Sequence, residues 1–192
     1  MNTRPEVLVN ALPFLCAAVA VMLAGAGINT QSAFRGTKGL HGSMYFTLAL
    51  PVSRFRLLAV RAGIGLIEAM AVIVLICGGL WVVVPVLREQ LTFTAALGYG
   101  FAIAISSSVF YSLSVLLATV LDGQWQIWGS MIGIGLFQFI SVRLPLPPAF
   151  NWFLAASSLV THVFPWPQMG SSVVTAAILL FVSMKIVQWR EY

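Results

Sequence analysis

From residue 57 to residue 87 the chain carries only two charged groups, Arg61 and Glu68, in an otherwise apolar run. Comparable runs occupy 7–28, 94–121, 125–142 and 172–188. None shows the strict alternation of polar and apolar positions that a lipid-facing barrel strand needs. In hydrocarbon every backbone N–H and C=O has to be paired inside the protein, so runs of about 20 apolar residues select helices. Composition agrees: 60% of the 192 residues are hydrophobic and 8% are charged. A soluble domain carries about 25% charged residues, enough to cover its surface, and this chain does not. The expectation is an all-α, polytopic transmembrane helical bundle forming one domain over residues 1–192.

The ends of the runs set the expected spans. The first stops at Asn29-Thr30-Gln31, the second at Arg88-Glu89-Gln90, the third at Asp122-Gly123. Arg143 and the prolines at 145, 147 and 148 end the fourth, and Trp189-Arg190-Glu191-Tyr192 follows the fifth. A helix running from Arg54 to Leu87 would be about 50 Å long at 1.5 Å per residue, more than a bilayer core of about 30 Å needs. Its first turns are therefore expected in the cytoplasmic interface. Residues 149–163 are apolar but too short to cross comfortably, and prolines flank them, which reads as a re-entrant or interfacial helix. The first run is too long, and lacks the basic leader, for a cleavable signal peptide.

Charge gives an orientation. Arg35, Lys38, Arg54, Arg56 and Arg61 cluster with no acid among them, and the net charge is +5. Basic residues gathered in one loop mark the cytoplasmic side rather than a nucleic-acid surface. That places loop 29–56 and the C-terminal end inside, and the N-terminal end outside. Trp81, Trp152 and Trp166 then fall at the outer interface, and Trp125, Trp128 and Trp189 at the inner one, where amphipathic rings are favoured.

Soluble-enzyme signatures are missing. Arg35-Gly36-Thr37-Lys38-Gly39 has some letters of a phosphate loop but not the spacing, and no H-E-x-x-H or G-x-S-x-G occurs. His41 and His162 lie far apart and read as polar surface residues. Cys16 and Cys77 sit inside apolar runs, without metal-ligand spacing, as ordinary core positions. No catalytic, cofactor or metal residue is expected. The intramembrane polar candidates are Glu68, Ser107, Ser108 and Ser112. Glu68 is the one acid deep in a span, where an ionisable group is costly unless paired or hydrated. Its simpler reading places it near the cytoplasmic interface, reaching water. The serines, with Gly129-x-x-x-Gly133, read first as close helix packing.

The stretch Gly42-Ser43-Met44-Tyr45-Phe46-Thr47-Leu48-Ala49-Leu50-Pro51-Val52-Ser53-Arg54 says more. Met44, Tyr45 and Leu48 form an apolar face. Helix has to end before Pro51, since the residue preceding proline is pushed out of the αR region. Ser53 can then cap the helix that follows. The result is a short amphipathic helix, a sharp turn and a long transmembrane helix. Such an elbow could transmit a push from a cytoplasmic partner or simply lie in the interface.

This stretch, with Leu-Ala-Leu-Pro-Val-Ser-Arg at its heart, resembles the loop of the type-2 permease family of ATP-binding-cassette (ABC) exporters. The resemblance extends loosely over most of the chain, including the apolar segment before the last span. It implies a permease subunit in a bacterial-type cytoplasmic membrane, paired with a second permease subunit and coupled to a separate cytoplasmic ABC ATPase. ATP and Mg would be bound by that ATPase, not by this chain. Gly42, Ser43, Met44, Tyr45, Phe46, Leu48 and Leu50 would contact the ATPase as a coupling helix, and Pro51, Ser53 and Arg54 would shape the elbow. Family members usually have six spans, one more than is counted here. Their loops tend to carry an acid where Tyr45 stands, so contact here would rest on apolar and basic groups. The alternative is a non-transporting scaffold using the same helix to recruit another cytoplasmic protein. The substrate is not legible.

Overall fold

The computed structural model describes residues 5–26, 54–121, 123–144, 146–155 and 163–189. Among them are six α-helices and no strand: α1 (Pro5–Ala26), α2 (Arg54–Val83), α3 (Pro85–Gln90), α4 (Phe93–Val120), α5 (Gly123–Arg143) and α6 (Trp166–Trp189). A 3-10 turn, Pro148–Phe150, lies between α5 and α6.

Three helices are long and apolar enough to cross a membrane: α2 over Ala59–Val83, α4 over its whole length, and α6 over its whole length. They mark the chain as a membrane protein. In α1 the apolar stretch is the shorter Ala11–Ala24. In α5 the apolar run is broken by Gln126, Ser130 and Gln138.

The second run is not one helix to Leu87. It stops at Val83, because Pro85 has no N–H to donate and forces Val84 into an extended conformation (φ −99°, ψ 105°). A six-residue helix restarts with Pro85 in its first turn, where proline is tolerated, and ends at Leu91. Thr92 then opens α4, its hydroxyl accepting from the Ala95 N–H at 3.3 Å. The last helix starts earlier than residue 172, at Trp166, because Pro167 in its first turn is no obstacle.

Helix α4 is the axis of the bundle. It packs against α1, α2, α5 and α6, while α1 also touches α2 and α5, and α6 also touches α2. The order around α4 is therefore α5, α1, α2, α6, and the 148–150 turn lies against α6. Its apolar window is 72% buried, against 22% for α2 and 17% for α6.

Small residues set the closeness of this packing. Helices α2 and α4 run antiparallel, and each step forward along one is a step back along the other. Gly65 faces Tyr111, Cys77 faces Gly100, and Gly78 faces Leu97. Trp81 then meets Phe93 with ring centroids 5.1 Å apart, and its indole N–H donates to the Leu91 carbonyl at 2.9 Å. A side chain built on Gly100 would stand 2.8 Å from the Cys77 Cβ, so glycine there permits the approach. Helices α4 and α5 form a second antiparallel pair, with Gly129 against Leu117 and Leu121, and Gly133 against Leu113.

Candidate functional site

Sixteen of the 28 residues of α4 are buried, and its hydroxyl-bearing stretch is among them. Ser106, Ser107, Ser108, Ser112, Ser114 and Thr119 all lie inside the bundle. A hydroxyl in an apolar interior has to find an acceptor, and in a helix the nearest is a carbonyl one turn back. Ser112 donates to the Ser108 carbonyl at 2.8 Å, and Thr119 to the Leu116 carbonyl at 2.7 Å. These bonds satisfy the hydroxyl on its own helix, leaving a small side chain that lets neighbours approach. Ser107 and Ser108 are buried on the same helix. Ser106 differs: its Oγ is buried without a partner among the described residues.

One polar contact crosses three helices. The Gln126 amide of α5 donates to Ser114 Oγ of α4 at 2.9 Å, and Ser114 donates on to the Val21 carbonyl of α1 at 3.4 Å. Gln126 and Ser114 are both fully buried, and Ser130 closes the next turn by donating to the Gln126 carbonyl at 2.7 Å. The Gln126 Oε1 has no hydrogen-bond donor among the described residues. Gln126 was not among the sequence candidates. Its signal was an amide set inside an apolar run with a serine one turn on, a pattern that demands a partner across helices.

Directly beside this polar layer lies an apolar one. Ala17, Val21, Phe110 and Ile134 are buried together, with Phe137, Trp152 and Phe153 packed on them. Phe137 and Trp152 stack with centroids 4.8 Å apart, and Phe110 meets Phe153 at 5.3 Å. The segment 146–155 is thus held on the bundle by its aromatic rings. The Trp152 indole N–H also donates to Ser171 Oγ at 3.1 Å, and Ser171 donates to the Ala149 carbonyl. Beyond Ala155 the expected re-entrant helix lies outside the described residues.

Between α2 and α4, Tyr111 donates its hydroxyl to the Ala62 carbonyl at 2.9 Å. Gly65 leaves room for that ring, since a Cβ there would overlap the hydroxyl. Cys16 of α1 and Cys77 of α2 are free thiols buried in the same apolar cluster.

Glu68 is elsewhere. It faces outward from α2, exposed. It stands 14 residues after Arg54, the start of the 30-residue helix. The serines are inside and Glu68 is outside, so the intramembrane polar candidates do not form one site.

Among the described residues no group of three or more His, Cys, Asp or Glu side chains could hold a metal ion. Arg54 begins α2. Gly42, Ser43, Met44, Tyr45, Phe46, Leu48, Leu50, Pro51 and Ser53, like His41 and His162, lie outside the described residues. No family model, curated protein or solved structure matches the chain.

Proposed function

We propose that this chain is the membrane-spanning permease subunit of an ABC exporter, coupling ATP hydrolysis in a separate cytoplasmic ATPase to movement of a substrate across the membrane. The observation that carries the reading is the stretch Leu48-Ala-Leu-Pro-Val-Ser-Arg54, which leads straight into the 30-residue helix α2. A rigid helix of that length is a lever. A push on its cytoplasmic end shifts the whole of α2, and the antiparallel contact through Gly65, Cys77 and Gly78 passes that shift to α4. In this reading α1 and α5 complete five spans, the segment after Pro148 is re-entrant, and loop 29–56 faces the cytoplasm. The working unit is two permease subunits with two ATPases.

The test is association. The chain, extracted from its membrane in mild detergent, is expected to bring with it an ATP-hydrolysing subunit. Leu48→Asp, or deletion of residues 44–49, is expected to abolish that association while the bundle stays folded. Association that survives both changes removes the coupling assignment. Recruitment of a cytoplasmic protein that hydrolyses no ATP would point instead to a scaffold.

A further inference from the structure

The chain has two cysteines, far apart in the sequence, and the fold brings them together. Cys16 lies in the apolar stretch Ala11–Ala24 of α1, and Cys77 in the apolar stretch Ala59–Val83 of α2. Both are free thiols, 0% and 3% exposed, in one cluster with Leu12, Ile73 and Ile103. Their side chains are hydrogen-bonded to one another. Helices α1 and α2 pack directly, and Cys77 also stands against Gly100 of α4. Close packing at such a contact asks only for two small apolar side chains. A hydrogen-bonded pair of thiols adds a chemistry that alanine there would lack, because the two sulfurs can be joined.

A disulfide between two elements needs side chains that point at each other across a short gap. Thiols that share a hydrogen bond already do so. The surroundings specify the oxidant. The cluster that holds the pair is apolar, so a route through charged species is costly there. A neutral, lipid-soluble oxidant starts and ends the conversion without charge. We infer that Cys16 and Cys77 form a redox-modification site, a dithiol that a quinone-class oxidant dissolved in the bilayer converts to a disulfide joining α1 to α2. Two S–H bonds break and one S–S bond forms. Each sulfur gives up one electron, and the two electrons and two protons turn the quinone's carbonyl oxygens into the hydroxyls of the quinol. A thiol reductant reverses the step by exchange. Both thiols are covered, so the oxidant reaches them only as the bundle opens locally. Under the permease reading the bridge would hold the α2 lever against α1; the site itself does not rest on that reading.

The probe is decylubiquinone, whose ring is fully substituted, so a thiol oxidises rather than adds to it. The full chain is reduced, placed in lipid nanodiscs without an ATPase, freed of reductant and exposed to the quinone. Free thiols are then counted with a maleimide after denaturation, and linked peptides are mapped by mass spectrometry. Both thiols are expected to disappear together, within single chains, as a peptide joining Cys16 to Cys77, and dithiothreitol should restore them. In Cys16→Ser and in Cys77→Ser the remaining thiol should be lost about 100-fold more slowly, because its partner has to come from another chain. The inference is overturned if the parent chain keeps both thiols in excess quinone, or if its cross-links run only between copies. It is overturned equally if either single variant loses its remaining thiol as fast as the parent. A chain that closes the bridge but recruits no ATPase would keep this site and lose the permease reading.

Discussion

Helices α2 and α4 are of similar length and both are apolar enough to cross a membrane, yet they use their polar residues in opposite ways. In α4 every serine is buried, and the helix serves as the axis on which the other long helices pack. In α2 the only acid is exposed, and only 22% of its apolar window is buried. Hydropathy measures the preference of a residue for hydrocarbon over water, and lipid and protein interior score alike on it. The two roles separate only through side-chain size and neighbours. Helix α4 offers Gly100, Ala102, Ala104 and five serines on its buried surface, which let other helices come close. The outer face of α2 offers branched side chains, Val60, Ile64, Ile67 and Leu75, that are exposed among the described residues.

That contrast can be broken by substitution, and the largest effect is expected where the two helices touch. Gly100→Leu would drive side-chain atoms into Cys77 and towards the Val74 backbone. It should cost about 3 kcal/mol or prevent folding, whereas Gly63→Leu and Gly79→Leu, with open space around them, should stay within about 0.5 kcal/mol. Denaturation in a mixed detergent, followed by circular dichroism, gives all three. Equal effects at Gly100 and Gly63 would mean that α2 and α4 do not approach as described.

The same measurement applies to two phenylalanines on α4. Phe110 is 4% exposed among Ile134, Phe137, Trp152 and Phe153, while Phe101 is 50% exposed. Phe110→Ala should cost about 3–4 kcal/mol and Phe101→Ala less than about 1. Phe110→Ala should also loosen the 146–155 segment, visible as faster hydrogen exchange there.

Smaller effects test the polar layer. Ser114→Ala removes the acceptor of a fully buried amide, and a loss of about 1–2 kcal/mol is expected. Gln126→Met removes both the amide that needs a partner and its unpaired oxygen while keeping similar volume. It should lie within about 1 kcal/mol of the parent, with either sign allowed. Finally, Tyr111→Phe deletes only the bond to Ala62 and should cost about 0.6 kcal/mol, the usual size of a hydrogen bond between membrane helices. A large loss at Tyr111→Phe would show that the α2–α4 contact depends on that bond more than on Gly65 and Gly100.

Much of the fold was legible because its causes are local. The beginnings of α4 and α5 fall within two residues of the expected positions, since Thr92 supplies a cap for α4 and that helix ends at an extended Leu121, just before α5 begins. The break at Val84 was missed although its cause, Pro85, is printed in the sequence: a long apolar run draws attention away from a single missing donor. Of the candidate site, the serines could be named but not sorted, because satisfying a hydroxyl through its own helix or through a neighbour leaves no mark on spacing. Gln126 was overlooked for the same reason. Its meaning depends on Ser114 and Val21, which belong to two other helices.

By itself, the sequence determined that this chain forms helices in a membrane, because backbone groups in hydrocarbon admit no other pairing for such runs. It also determined where proline, glycine and capping residues would stop them. Only the tertiary structure decided that α4 lies inside and the face of α2 outside. With no hydrophobic drive between helices in lipid, that choice rests on how closely small residues let backbones approach.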